Sequence, residues 1–307
     1  MRPSIHHIRI QKRLTSSLRS QHSKFLDLVH NRNTSQTNNN HGKISSNQSK
    51  YAYEITIDNI HKRNCINGKM MNELVDITDT ILNNSSNNDS PTCLILRSTG
   101  DFFCAGADFQ MVSDHINTSE KGLLMLDFMT SVLNAIRDSK YISLCVVNGP
   151  AMGGGAELIT STDFRTIEEN AFIQFVQVKL GTSCGWGGAS RLLSIVGRNN
   201  ALKLLAGSIK VIPSYAEQIN LVDDVYASNE RYAPDQLPLS ALTILDPFLK
   251  QPYPQTVGDM KKLLTLQNES NNNNISLKSA ERDLFSKTWA SDNNKEAISK
   301  FFNKVPK

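Results

Sequence analysis

From Tyr53 to Asp58 apolar and polar positions alternate, with Tyr53, Ile55 and Ile57 set against Glu54, Thr56 and Asp58. That period of two predicts a half-buried strand. Two later stretches abandon the alternation. CLILR (93–97), after a polar loop, and ISLCVV (142–147) are continuous apolar runs and predict buried strands. Between them Met125, Phe128, Met129, Val132, Leu133 and Ile136 recur at helical spacing in a proline-free segment from Gly122 to Ile136, so a helix separates the two strands. A further helix is expected after Gly188, with Leu192, Leu193 and Val196 inward. Strand, loop and helix repeated in this order predict an α/β fold with parallel strand pairing.

Composition bounds what this pattern can become. At 307 residues and 39% hydrophobic, the chain can bury a large core, as one domain with an appendage or as two domains. The formal charge of +4 is unevenly spread: residues 1–50 hold nine Lys/Arg against one acid, Asp27, a net of +8, which leaves −4 for the rest. A basic nucleic-acid-binding body is thereby disfavoured. Within the tail, Ile10, Leu14 and Leu18 at helical spacing among Arg9, Lys12, Arg13 and Arg19 resemble an organelle transit peptide; the alternative is a disordered polar extension. Asn-rich patches at 33–40, 83–89 and 268–274 are expected to be tolerated insertions in loops and termini.

Five widely spaced cysteines without a C-x-x-C pair suggest reduced thiols in an intracellular protein. Five of the seven histidines lie in the tail, which leaves only His61 and His115 for the folded part; no metal site is expected. No apolar run approaches the roughly 18 residues of a membrane span, so no membrane partner is expected.

Two small-residue turns carry the chemistry. In CLILRSTGDFFCAGADF a buried strand enters a tight turn and then a helix, and in SLCVVNGPAMGGGAEL the same events recur. Each turn can present a backbone N–H with no side chain in the way. On adjacent parallel strands the turns would converge at the carboxyl ends of the sheet, and two convergent N–H groups form an oxyanion hole. The helix starting near Gly155 adds its positive end to the second donor.

The motifs FFCAGADF, VVNGPAMGGGAEL, STDFR and LGTSCGWGGASRLLSIVG, in this order over residues 51–226, resemble the enoyl-CoA hydratase/isomerase (crotonase) superfamily. FVQVKLG, ALKLLAGSIK, ERDLFSKTW and KEAISKFFNK extend the likeness nearly to Lys307. They place it nearest the members that decarboxylate short branched malonyl-CoA thioesters such as ethylmalonyl-CoA or methylmalonyl-CoA.

The resemblance implies a crotonase-like fold of repeated β-β-α units and an acyl-CoA thioester whose carbonyl oxygen lies between the N–H groups of Ala107 and Gly154. Coenzyme A enters as part of the substrate; no bound cofactor is expected. Ala105 and Gly106 match adenine-side contacts, Asp108 and Phe109 line the entry, Gly153 belongs to the second turn, Trp186 walls the acyl pocket, and Lys62 or Arg63 meets a CoA phosphate. Hydratases of the family use two glutamates; the first matches Glu157, but the second falls on Gln177, which cannot ionise and so cannot serve as acid or base. Loss of CO2 needs only an enolate sink, and Gln177 is expected to donate a hydrogen bond to the substrate carboxylate. Glu157 either protonates the enolate or orients the acyl chain.

The organisation expected is a disordered basic tail or targeting segment (1–50), a crotonase-type acyl-CoA-binding core (51–226), and a helical C-terminal region (227–307) that acts as lid and oligomerisation surface of a homotrimer or hexamer. Asp163 and Arg165 are expected to form a structural ion pair. The role implied is removal of carboxylase side products in fatty acid metabolism, in the cytosol or, if the tail is an import signal, the mitochondrial matrix. Competing readings are an enoyl-CoA hydratase or isomerase and a non-catalytic acyl-CoA- or RNA-binding protein.

Overall fold

The computed structural model describes residues 23–25, 28–29, 42–49, 51–83, 91–230, 237–269 and 277–304. The alternating stretch is strand β2 (Ala52–Asp58), and the two apolar runs are β3 (Cys93–Ser98) and β4 (Ile142–Val147). They lie side by side, parallel, with Leu96 opposite Cys145. Strand β1 (Lys43–Gln48) pairs antiparallel with β2 at one edge, while β6 (Phe164–Glu168) and β8 (Asp224–Tyr226) extend the parallel array at the other, giving the order β1-β2-β3-β4-β6-β8. A small second sheet pairs β5 (Ala151–Met152) with β7 (Ile173–Gln174).

Both faces of the central strands are covered, which explains their unbroken apolar runs. Leu94, Leu96, Cys145 and Val147 join a core with helices α1 (Gly68–Asn83) and α3 (Ser119–Arg137); the alternate residues Cys93, Ile95, Ile142 and Leu144 meet Ala241 and Leu245 of α7 (Leu239–Leu249). Helix α3 buries Phe128, Met129, Val132, Leu133 and Ile136, the stripe expected from spacing. Short α2 (Phe109–His115) follows β3, and α4 (Gly154–Leu158) follows β5. Beyond β7 comes α5 (Gly188–Ala206), then α6 (Pro213–Gln218). Thus β4-β5-α4 and β6-β7-α5 are two copies of one strand-strand-helix unit. On α5 Leu192 and Val196 are buried as expected, but Leu193 is 49% exposed and points outward. It lies one position, 100°, past Leu192, off the inward stripe.

The folded unit begins before residue 51, which moves the expected tail boundary. Strand β1 lies wholly within 1–50, and Phe25 and Val29 are buried, the Phe25 ring centroid 4.7 Å from that of Phe128. The Ile10, Leu14 and Leu18 stripe, the Asn-rich patch at 33–40, the patch at 83–89 except Asn83, and that at 268–274 except Asn268 and Glu269 fall outside the described residues.

The C-terminal region is helical, with α7 followed by α8 (Pro254–Glu269), α9 (Leu277–Thr288) and α10 (Asp292–Lys304). Helix α8 is tied to the sheet by buried Lys261, whose Nζ lies 2.6 Å from both Asp163 Oδ2 and Tyr141 O. Asp163 and Arg165 do not pair with each other, contrary to expectation: Asp163 precedes β6 and is taken by Lys261, while Arg165, within β6, meets Asp223 at 3.5 Å. Phe285 and Trp289 stack on one another at 5.2 Å and stay 60% exposed.

Candidate active site

The residues after β3 and β4 meet at the carboxyl end of the sheet. Phe103 and Cys104 donate to Pro150 O, and Met152 N–H donates back to Cys104 O at 2.9 Å, so the two turns are stitched together. Gly106 adopts φ +98°, and a methyl there would lie 3.0 Å from Gly154 N. A methyl on Gly155 would lie 2.1 Å from Cys104 O. Only glycine permits the first backbone conformation and the second close approach.

This packing leaves two donors over. In the bridge between Ile66 and Ala107, Ile66 N–H donates to Gly106 O at 2.8 Å and Asp108 N–H to Ile66 O at 3.0 Å, which turns the Ala107 N–H away from that bridge. Gly154 is the first residue of α4, where a backbone N–H has no partner inside its helix. Among the described residues neither N–H donates to a protein acceptor.

Glu157, one helical turn beyond Gly154, is 1% exposed. Its Oε1 accepts from Gln177 Nε2 at 2.8 Å and Gly185 N at 3.1 Å; its Oε2 accepts from Trp186 N and Gly188 N, each at 2.8 Å. Four donors fill the roughly four lone-pair sites of a carboxylate. Glu157 therefore clamps the 185–188 turn and the start of α5, and has no lone pair spare for water or substrate. Glu157 holds Trp186 through its backbone N–H, and the edge of that ring would lie 2.8 Å from a methyl on Gly154. Arg191 braces the same cluster: Nη2 donates to Trp186 O at 2.7 Å and Nε to Thr160 Oγ1 at 3.0 Å. Burial pulls its guanidinium down to about 10, against the opposing pull of Glu157.

Gln177 is 9% exposed, and one of its two amide hydrogens goes to Glu157 Oε1. Its Oε1 is buried without a hydrogen-bond partner.

At the entry, Lys62 Nζ lies 2.8 Å from Asp108 Oδ2, and this hydrogen bond holds the Lys62 ammonium above the ordinary lysine range. Asp108 also caps α2 through Gln110 N at 3.0 Å. Ala105 N–H donates to Arg63 O at 3.0 Å, so the Lys62–Arg63 pair runs alongside the first turn, with Arg63 over the Phe102 ring. Phe109 is 68% exposed beside them.

The structure thus brings together Ala107, Gly153, Gly154, Glu157, Gln177 and Trp186, with Lys62, Arg63, Ala105, Gly106, Asp108 and Phe109 at the rim. Arg191 and the N–H groups of Gly185 and Gly188 were missed in the sequence; only the glycine spacing of CGWGGASR hinted at them. Burial pushes Cys65 up to about 11 and Cys104 up to about 12, and Cys184, next to Glu157, to about 12. A thiolate nucleophile is not on offer here. Among the described residues no group of three or more His, Cys, Asp or Glu side chains could hold a metal ion, and no helix is long and apolar enough to cross a membrane.

Residues 47–307 match the enoyl-CoA hydratase/isomerase family. The chain is similar to the ethylmalonyl-CoA decarboxylase of Danio rerio, 37% identical over 67% of this chain and 66% of that protein. It is 34% identical to that of Mus musculus over 80% of this chain and 73% of the other. A solved enoyl-CoA hydratase from Bacillus anthracis superposes with a TM-score of 0.73 at 21% identity, covering 85% of this chain and 96% of that one.

Proposed function

The chain belongs to the enoyl-CoA hydratase/isomerase family, and from that premise we propose that it decarboxylates a short branched malonyl-CoA thioester, ethylmalonyl-CoA or methylmalonyl-CoA. The observation that carries this reading is the state of the two side chains beside the oxyanion turn: Glu157 is fully engaged by four donors and Gln177 cannot ionise. Water addition needs a free acid and base; this pair supplies neither. Decarboxylation needs neither for bond cleavage.

In the reaction the thioester oxygen accepts from Ala107 N–H and Gly154 N–H. The bond from the α-carbon to the substrate carboxylate breaks, its electron pair enters the enolate, and CO2 departs. Full negative charge reaches the oxygen only in the enolate, so the donors act mainly on the transition state, at about 3 to 4 kcal/mol for one donor. Trp186 and the Gly153 turn wall the acyl group, and Lys62 and Arg63 at the rim suit the CoA phosphates. The names of the Danio and Mus relatives support the same substrate class.

Incubating the purified protein separately with ethylmalonyl-CoA, methylmalonyl-CoA and crotonyl-CoA tests the reading. CO2 release from the first two with no hydration of the third is expected. Hydration of crotonyl-CoA without CO2 release from either malonyl thioester would identify a hydratase instead.

A further inference from the structure

Cleavage leaves an enolate whose α-carbon must gain a proton, and the two side chains beside it restrict where that proton comes from. Glu157 is spent as an acceptor, with two donors on each oxygen. The orientation of the Gln177 amide follows from this: its nitrogen faces the Glu157 carboxylate at 2.8 Å, so its carbonyl oxygen, the acceptor, is turned away from Glu157. That oxygen is buried with no protein donor among the described residues. A buried carbonyl oxygen is normally satisfied, and a bare one in a site is completed by water or ligand. The acyl part of a malonyl-type thioester has a carboxylate, a carbonyl and an alkyl chain, none of which donates.

We infer that Gln177 Oε1 holds the water molecule that delivers the proton to one face of the α-carbon. This rests on the decarboxylase reading above. In the step, one O–H bond of the water breaks and its hydrogen bonds to the α-carbon through the enolate electron pair; the thioester carbonyl re-forms between Ala107 and Gly154. The hydroxide left behind takes up the released CO2 as hydrogencarbonate, so substrate anion plus water gives saturated acyl-CoA plus one hydrogencarbonate. Gln177 is then a positioning residue, held by its hydrogen bond to Glu157, which itself lies one helical turn from the Gly154 donor.

The test reads stereochemistry rather than rate. Ethylmalonyl-CoA is decarboxylated in D2O, and the configuration of the deuterium at C2 of the butyryl-CoA product is determined by NMR after chiral derivatisation. The wild type is expected to place deuterium on one face. Gln177→Met, which keeps length and loses the acceptor, is expected to give an equal mixture of faces. Gln177→Glu retains an acceptor oxygen but can donate to Glu157 only when its own carboxyl is protonated, so it is expected to keep the selectivity at low pH and lose it as pH rises, an outcome a purely structural role for the side chain does not produce. Single-face labelling by a folded Gln177→Met protein overturns the inference, as does scrambled label from the wild type, a result that stands even if the variants fail to fold. Butyryl-CoA absent from the wild-type reaction removes the decarboxylase premise, a different failure from scrambled label.

Discussion

The Ala105–Ala107 turn and the Gly153–Gly155 turn present the same group, one backbone N–H each, by different constructions. The first is held like an extra strand: Ile66 and Arg63, from the segment before α1, take its backbone on one side. Its flank is charged and open, through Lys62 and Asp108. The second begins a helix and is held from beneath by buried groups that come later in the chain, Glu157, Gln177 and Trp186. The two supports meet where Phe103 and Cys104 donate to Pro150 O, Met152 donates to Cys104 O, Gly106 approaches Gly154 and Gly155 approaches Cys104. Donor geometry thus has two separate supports and one narrow seam, and the donors should differ in how they fail.

The largest effect is expected at the second turn. Gly154→Pro removes the N–H, while proline fits the first position of a helix. Gly154→Ala keeps the N–H yet makes the same close contact with the Trp186 ring, a methyl at 2.8 Å. Turnover of Gly154→Pro is expected to fall at least about 100-fold below that of Gly154→Ala, the usual cost of a lost oxyanion donor. Equal turnover of the two, with folding and CoA binding retained, removes Gly154 from the oxyanion assignment.

An intermediate effect is expected at the seam. Gly106→Ala sets a side chain at φ +98° and drives a methyl to 3.0 Å from Gly154 N and 3.2 Å from Met152 O. Both donors stay, but they move apart, and a misplacement of this kind slows chemistry by about 10- to 100-fold. The signature is a fall in kcat larger than any rise in KM. An unchanged kcat would show that the two turns tolerate separation.

The smallest effect is expected at the rim of the first turn. Lys62→Ala breaks an ion pair between a half-exposed lysine and the buried Asp108, which keeps its hydrogen bond from Gln110 N–H, so a modest loss of stability is expected. If Lys62 meets a CoA phosphate, KM rises about 2- to 5-fold with kcat unchanged, since that contact is equal in ground and transition states. A drop in kcat instead would mean that Asp108 needs its lysine to hold the turn.

How much of this was legible in the sequence follows from which groups do the work. Strands β2, β3 and β4 and helix α3 announce themselves because their stabilisation is apolar burial, and burial has a period. Both donor turns were legible because close backbone approach demands small residues in a row. Strand β1 escaped: KISSNQ is an edge strand with only Ile44 buried, so its stabilisation is main-chain pairing, which leaves no apolar pattern. Glu157 was found but its task was not, because three of its four partners are backbone N–H groups, which every residue but proline carries. Asp163 and Arg165 looked like partners because they are close in sequence, whereas their charges are met by Lys261 and Asp223 from distant segments.

The burial of Phe25 against Phe128 sets a schedule for synthesis. Phe128 lies 103 positions after Phe25, and at about 5 to 20 residues per second Phe25 waits on the order of 5 to 20 s before the helix that shelters it exists. During that interval Phe25 and Val29 are open to any factor that binds the nascent N-terminal segment. Once α3 has formed, the protein's own interior competes for the same two side chains.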